Sequence, residues 1–146
     1  MAIELFNECL RSKISFSMET TLSGKSAINR IKEAKEAGFF VSVKFIGLIN
    51  PDMNVERVRE RVKKGGHHIE EITIRKRYHK SLRNIDEILH LIDKLAIYDN
   101  SIKYHSHRLY TLVKNNQVYK RINPPLWVEK INKKIDTSIL LTNANE

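Results

Sequence analysis

Apolar residues recur along the chain in short stripes separated by turn-forming residues, and the period of each stripe predicts an element. Ile3, Phe6 and Leu10 fall on one helical face, which predicts a helix over 2–12. Ile14–Met18 (ISFSM) predicts a short strand, and 19–25 a loop. Ser26–Ala37 predicts a helix with Ile28, Ile31 and Ala34 inward, stopped at Gly38. Phe39–Ile49 is almost continuously apolar and suits a strand covered on both faces, with Asn50-Pro51-Asp52 breaking it. Asn54 is a plausible cap for a helix to Lys64, with Val55, Val58 and Val62 inward and Gly65-Gly66 at its end. Two further helices are predicted, over Glu70–Lys80 and Asn84–Lys94, the second with Ile85, Ile88, Leu89 and Ile92 inward. Leu95–Tyr98 predicts a strand closed by Asp99-Asn100. Leu109–Val113 and Val118–Arg121 flank a hairpin signal at Lys114–Gln117. Pro124-Pro125 opens a last helix over Trp127–Lys134, and 137–146 reads as a frayed tail.

Strands alternating with helices predict a layered α/β fold with a mainly parallel sheet. One domain over 1–136 accounts for the pattern. Of 146 residues, 41% are hydrophobic, enough for a core and too many for wholesale disorder. No apolar run approaches the roughly 18 residues of a membrane helix, so no membrane partner is expected. The N-terminus carries no secretory signal pattern, and the single cysteine, Cys9, forms no internal disulfide. Both point to the reducing cytoplasm.

Charge sharpens the picture. The net charge is +9, and the segment Arg57–Arg83 has ten basic and three acidic residues, so it carries +7 of it. A localised positive field points to an anionic partner: nucleotide phosphates, nucleic acid or an acidic protein.

Gly24-Lys25-Ser26 follows a predicted strand and opens a predicted helix, as a phosphate-binding loop does. That loop needs GxxxxGK[ST], and the position of its first glycine holds Glu19, whose charge opposes phosphate. The plainer reading is an ordinary helix start. Glu19–Gly24 (ETTLSG) offers a carboxylate and hydroxyls to a polyol at a strand end, or is simply a polar loop. In Glu60–Tyr78, Arg61 shares a helical face with Arg57 and Lys64, while Arg75 and Arg77 lie beyond the Gly-Gly turn. Such a pair of helices suits a lid over phosphates, or a solvated face. His67-His68 are adjacent and cannot both face one ion from a regular element, and His105 with His107 lack the carboxylate or cysteine that would complete a metal shell. Cys9 and Trp127 read as core.

The segments Phe16–Ser26 (FSMETTLSGKS), Glu60–Ile69 (ERVKKGGHHI), Ile74–Asn84 (IRKRYHKSLRN) and Leu95–Ser101 (LAIYDNS) together resemble the zeta toxin family. These are P-loop kinases of toxin–antitoxin systems, and the resemblance covers about Glu4 to Ile131. It implies phosphorylation of a UDP-activated amino sugar, UDP-N-acetylglucosamine, with ATP and Mg2+. By resemblance Glu19 and Thr21 face the sugar, and Arg61 reaches the nucleotide phosphates. The second phosphate contact falls to His67, Arg75 or Arg77, and Tyr98 and Asn100 close the nucleotide side.

The family's own P-loop, with its lysine, magnesium hydroxyl and catalytic aspartate, has no counterpart in this sequence. The expectation is therefore a partial P-loop NTPase-like fold, with helices on both faces and a C-terminal hairpin, inactive by itself. It would bind nucleotide and sugar-nucleotide, and pair with an antitoxin, a strand-swapped copy or a separate N-terminal fragment. The rival expectation is a basic nucleic-acid-binding module or an interaction protein using the Arg57–Arg83 face.

Overall fold

A computed structural model of the chain describes residues 2–144. Its elements in chain order are α1 (Ala2–Ser12), α2 (Lys25–Glu36), β1 (Ser42–Gly47), α3 (Pro51–Lys63), α4 (Glu71–Ile88), β2 (Lys94–Asp99), β3 (Arg108–Lys114), β4 (Gln117–Lys120) and α5 (Leu126–Ala144). The four strands form one open sheet in the order β1-β2-β3-β4. Only β1 and β2 are parallel; β2–β3 and β3–β4 are antiparallel. The sheet is thus mixed and mostly antiparallel rather than mainly parallel. The α3–α4 pair is long enough to carry the chain back for a parallel pairing, whereas 100–107 is too short for a crossover, so β3 returns antiparallel.

Several elements depart from their sequence pattern. Ile14–Met18 is irregular, not a strand. It has no strand beside it; instead Phe16 packs edge-on between Phe6 and Phe39, at 5.5 and 5.8 Å. The long apolar run condenses to six residues of β1, whose side chains alternate between exposed and half-buried. Helix α3 starts at Pro51, because Asn50 caps it by accepting from the Met53 N–H at 3.0 Å. Asn54, the expected cap, lies inside the helix. The two helices expected over 70–94 divide differently: α4 runs unbroken from Glu71 to Ile88, and Lys94 already belongs to β2. Asn84 sits inside α4, its amide donating to the Leu22 carbonyl at 2.8 Å. Helix α5 continues through most of the expected frayed tail, with Ile135 buried and Ile139 packed on the core.

The hairpin forms where expected. Asn115 and Asn116 both take positive φ, 51° and 58°, as a two-residue turn between right-twisted strands requires. The Gly65-Gly66 stop also holds. Gly65 has φ +89°, and the Gly65 and Gly66 N–H groups donate to the Val62 and Arg61 carbonyls at 2.9 Å.

One side of the sheet supplies the core. Across the strands Val43, Leu95, Val113 and Val118 are in register, as are Phe45, Ile97 and Thr111. These meet Ala27 and Ile28 of α2, Ile85 and Ile88 of α4, and Val128, Ile131 and Ile135 of α5. Burial of each of Ile85, Ile88 and Ile97, all fully enclosed, contributes about 1.5–3 kcal/mol. The opposite side carries the rows Lys44–Ala96–Leu112–Tyr119 and Ile46–Tyr98–Leu109, of which Lys44, Ile46 and Tyr119 are exposed. No residue of that side joins the core cluster. Helices on both faces were expected; among the described residues, the apolar packing of helices on the sheet uses one face.

Candidate functional site

The carboxyl ends of β1 and β2 gather around Asp99, the one buried charged group among the described residues. Asp99, the last residue of β2, is 8% exposed. Its Oδ2 accepts from the Trp127 indole N–H at 2.8 Å and the Ser101 hydroxyl at 2.9 Å, and its Oδ1 from the Ser101 N–H at 2.9 Å. Ser101 Oγ in turn accepts from the Ile49 N–H at 2.8 Å. The carboxylate is therefore satisfied within the protein and ties β1, β2 and α5 together. Trp127 reaches it because Gly47 leaves room: a Cβ there would lie 2.5 Å from the indole ring.

Helices α3 and α4 are latched to the same edge. The Arg57 guanidinium donates to the Asn100 carbonyl, and the Asn100 N–H donates to the Gly47 carbonyl at 2.9 Å. The Tyr78 hydroxyl donates to the Leu48 and Ile49 carbonyls, at 3.2 and 3.4 Å. Burial, with the nearby Asp99 charge, raises the Tyr78 pKa, so the phenol stays a donor at neutral pH. Lys103 pairs with Glu60 and holds loop 100–107 against α3. The hydrogen bond from Lys103 lowers the Glu60 pKa.

An open groove of about 400 Å³ adjoins Asp99, with Ile102, His105, His107, Arg108 and Arg121 on its walls. Arg108 and Arg121 have no ion pair among the described residues, and the Asp99 carboxylate is committed elsewhere. The groove is therefore net cationic, which suits phosphate or carboxylate groups. A second groove, of about 310 Å³, runs along α4 between Ile72, Arg75, Lys76, His79, Lys80 and Arg83. Of its cations, Arg75 alone is ion-paired among the described residues.

The residues expected at a site are only partly brought together. Tyr98 and Asn100 lie at the strand end; the Tyr98 ring meets His107 edge-on at 4.9 Å. Arg61, His67 and Arg77 are exposed around the turn between α3 and α4. Gly66 sits tight on Arg61, where a Cβ would fall 2.6 Å from the arginine Cγ. Arg75 is bound to Glu71 and to Asp52, each at 2.7 Å, and Glu71 also pairs with Arg59 at 2.8 Å. Its guanidinium holds the first turns of α3 and α4 together rather than standing free. Glu19 and Thr21 are exposed in the loop before α2, and Thr21 Oγ1 bonds Ser23 Oγ at 2.7 Å. No hydrogen bond or ion pair among the described residues joins Glu19 or Thr21 to Arg61, His67, Arg75 or Arg77. Lys25 and Ser26 are exposed at the start of α2, next to its cap residue Gly24.

Residues that the sequence pattern did not single out are Asp99, Ser101, Arg108 and Arg121. Asp99-Asn100 reads as a strand stop, and Trp127, expected as core, also carries the indole N–H that anchors Asp99. An aspartate directly after an apolar strand was the available signal. No group of three His, Cys, Asp or Glu placed to hold a metal occurs among the described residues. No described helix is long and apolar enough to cross a membrane.

A protein of Haemophilus influenzae described as uncharacterized is 47% identical over 77 residues. The match takes in 53% of this chain and 55% of that protein, about half the length of each. No family model and no solved structure matches the chain.

Proposed function

We propose that the chain is the substrate-and-lid portion of a zeta-toxin-like phosphotransferase. It binds the phosphates of ATP and of a UDP-sugar and does not transfer a phosphoryl group unaided. The observation that carries this reading is the latch at the strand ends. Arg57 of α3 and Tyr78 of α4 hold the arginine-bearing helix pair against the carboxyl edge of the parallel strands, where open α/β sheets bind ligands. The groove beside Asp99 adds two guanidinium groups without an ion pair among the described residues, Arg108 and Arg121, at the same edge. Arg61 and Arg77 supply further charge, and His67 a ring nitrogen, from the α3–α4 pair. Chemistry would need a phosphate loop, a lysine and a general base, which no residues described above provide. A separately made piece with those parts, or an antitoxin that occludes the groove, are the partners this reading implies.

The test is calorimetric titration of ATP and UDP-N-acetylglucosamine into wild type and Arg61→Ala. Loss of a charged phosphate contact is expected to weaken ATP binding by about tenfold or more, at roughly 1.5–3 kcal/mol per charged hydrogen bond. Equal affinities would remove Arg61, and no binding of either ligand would remove the reading. Coupled ADP release with ATP and Mg2+ is expected to be nil. Turnover abolished by Lys25→Ala would show Gly24–Ser26 to be a working phosphate loop after all.

A second reading, nucleic-acid binding, is favoured by one observation: Lys76, Lys80 and Arg83 line the α4 groove without an acidic partner among the described residues. It requires that affinity for a DNA oligomer fall steeply with salt, and less steeply after Lys76, Lys80 and Arg83→Gln. Salt-independent or absent binding would exclude it.

A further inference from the structure

Strand β1 is an edge, and its hydrogen-bonding groups can be assigned. The Val41 carbonyl accepts from Asp93 and Lys94, and the Gly47 carbonyl from Asn100. By alternation, Val43 and Phe45 also turn their N–H and C=O to β2. The N–H and C=O of Ser42, Lys44 and Ile46 therefore point outward, where no backbone bond meets them among the described residues. The side chains of these residues are exposed too, with Ile46 at 51% and Phe40, just before the strand, at 60%. An uncapped edge carrying large apolar side chains is a template for another strand, and proteins seldom leave one bare.

We propose that β1 pairs antiparallel with β1 of a second copy, about a two-fold axis at Val43. Opposed residues in an antiparallel pair share a face, so the axis must pass through a residue, not between two. An axis at Lys44 would set Lys44 against its own copy. An axis at Val43 sets Ser42 against Lys44′ and Phe40 against Ile46′, the primes marking the second copy. The two most exposed apolar groups of the edge then cover each other twice, and aromatic–β-branched pairs of this kind are favourable. Ser42 and Lys44 form the central hydrogen-bonded pairs, and the two four-stranded sheets join into one of eight strands. A two-fold pairing of this sort closes on itself and does not propagate into fibres. The +9 charge of each copy opposes the approach, so association strengthens as salt screens it. Nothing in this pairing depends on the ligand reading.

The test is sedimentation equilibrium over a dilution series at low and moderate salt, on four forms of this chain. Wild type is expected to dimerise, more tightly at the higher salt. Phe40→Glu and Ile46→Lys alter exposed side chains, so each is expected to keep its circular dichroism while association weakens by roughly tenfold or more, with two apolar pairs lost per dimer. The double variant Phe40→Glu/Ile46→Lys sets a carboxylate opposite an ammonium at both ends and is expected to recover the dimer, now weakened by salt. A wild type that stays monomeric overturns the proposal and leaves the edge to a different chain. A dimer unaffected by either single change overturns the interface. A double variant no better than the single ones overturns the register.

Discussion

Helix α4 lives in two environments, and its two halves show what holds each part of the molecule. The second half buries Ser81, Ile85 and Ile88, the two isoleucines in the core that α2, β2 and α5 share. The first half buries Ile74, leaves Ile72 63% exposed, and is fastened by polar contacts: Arg75 to Glu71 and Asp52, Glu71 to Arg59, and the Tyr78 hydroxyl to the Leu48 and Ile49 carbonyls. Apolar burial depends little on pH or salt, whereas exposed ion pairs respond to both. The half of α4 that carries the proposed ligand-facing cations is thus the more weakly fastened one. Such regions open locally at lower cost than a core does.

The contrast can be tested from its strongest point. Ile97→Ala removes a side chain with no exposed surface from the centre of the sheet. A loss of about 2–5 kcal/mol is expected in urea unfolding, with the same loss at high and low salt. A loss under about 1 kcal/mol would mean that the core lies elsewhere.

Trp127→Phe is expected to cost less, about 1–3 kcal/mol, because Asp99 keeps its Ser101 partners and loses one buried donor. Part of that cost should appear in the α3–α4 pair, since Asp99 and Ser101 organise the strand end to which Arg57 and Tyr78 are latched. Hydrogen exchange is expected to quicken in the first half of α4 as well as around β2. Quickening confined to α5 would uncouple the two regions.

Arg75→Ala is expected to have the smallest effect on global unfolding, and the most conditional. The hydrogen bond from Arg75 lowers the Glu71 pKa below its usual 4.5. Glu71 therefore contributes stability that is present above that usual value and is lost as pH falls through its depressed folded value. The difference between wild type and Arg75→Ala should accordingly be seen at neutral pH, shrink in acid, and shrink in salt. A difference that persists unchanged in acid and salt would mean that Arg75 acts through packing of its stem.

Much of this was legible locally. The Asn115-Asn116 turn, the Gly65-Gly66 stop and the break at Asn50-Pro51 are decided by the conformational limits of those residues, so their neighbourhood suffices. The clustering of cations on α3 and α4 was equally visible, because helical spacing alone places them. What they face was not. Arg75 and Arg77 look alike in sequence, yet Arg75 is spent on Asp52 and Glu71, from the first turns of two helices. The latch joining Asp99, Ser101, Trp127, Arg57 and Tyr78 spans segments far apart in the chain, and no local pattern announces it.

The sequence by itself determined where the chain turns, which stripes are apolar and where the positive charge gathers, because each follows from backbone limits and side-chain solubility over a few residues. Tertiary structure decided whether an apolar run finds a neighbour. Ile14–Met18 has strand composition, but a strand exists only when another backbone takes its hydrogen bonds; here Phe16 docks on Phe6 and Phe39 instead. Phe39–Ile49 is apolar enough for a central strand, yet β1 stands at the edge with Ile46 bare, because pairing and covering are properties of what lies beside a strand and not of its residues.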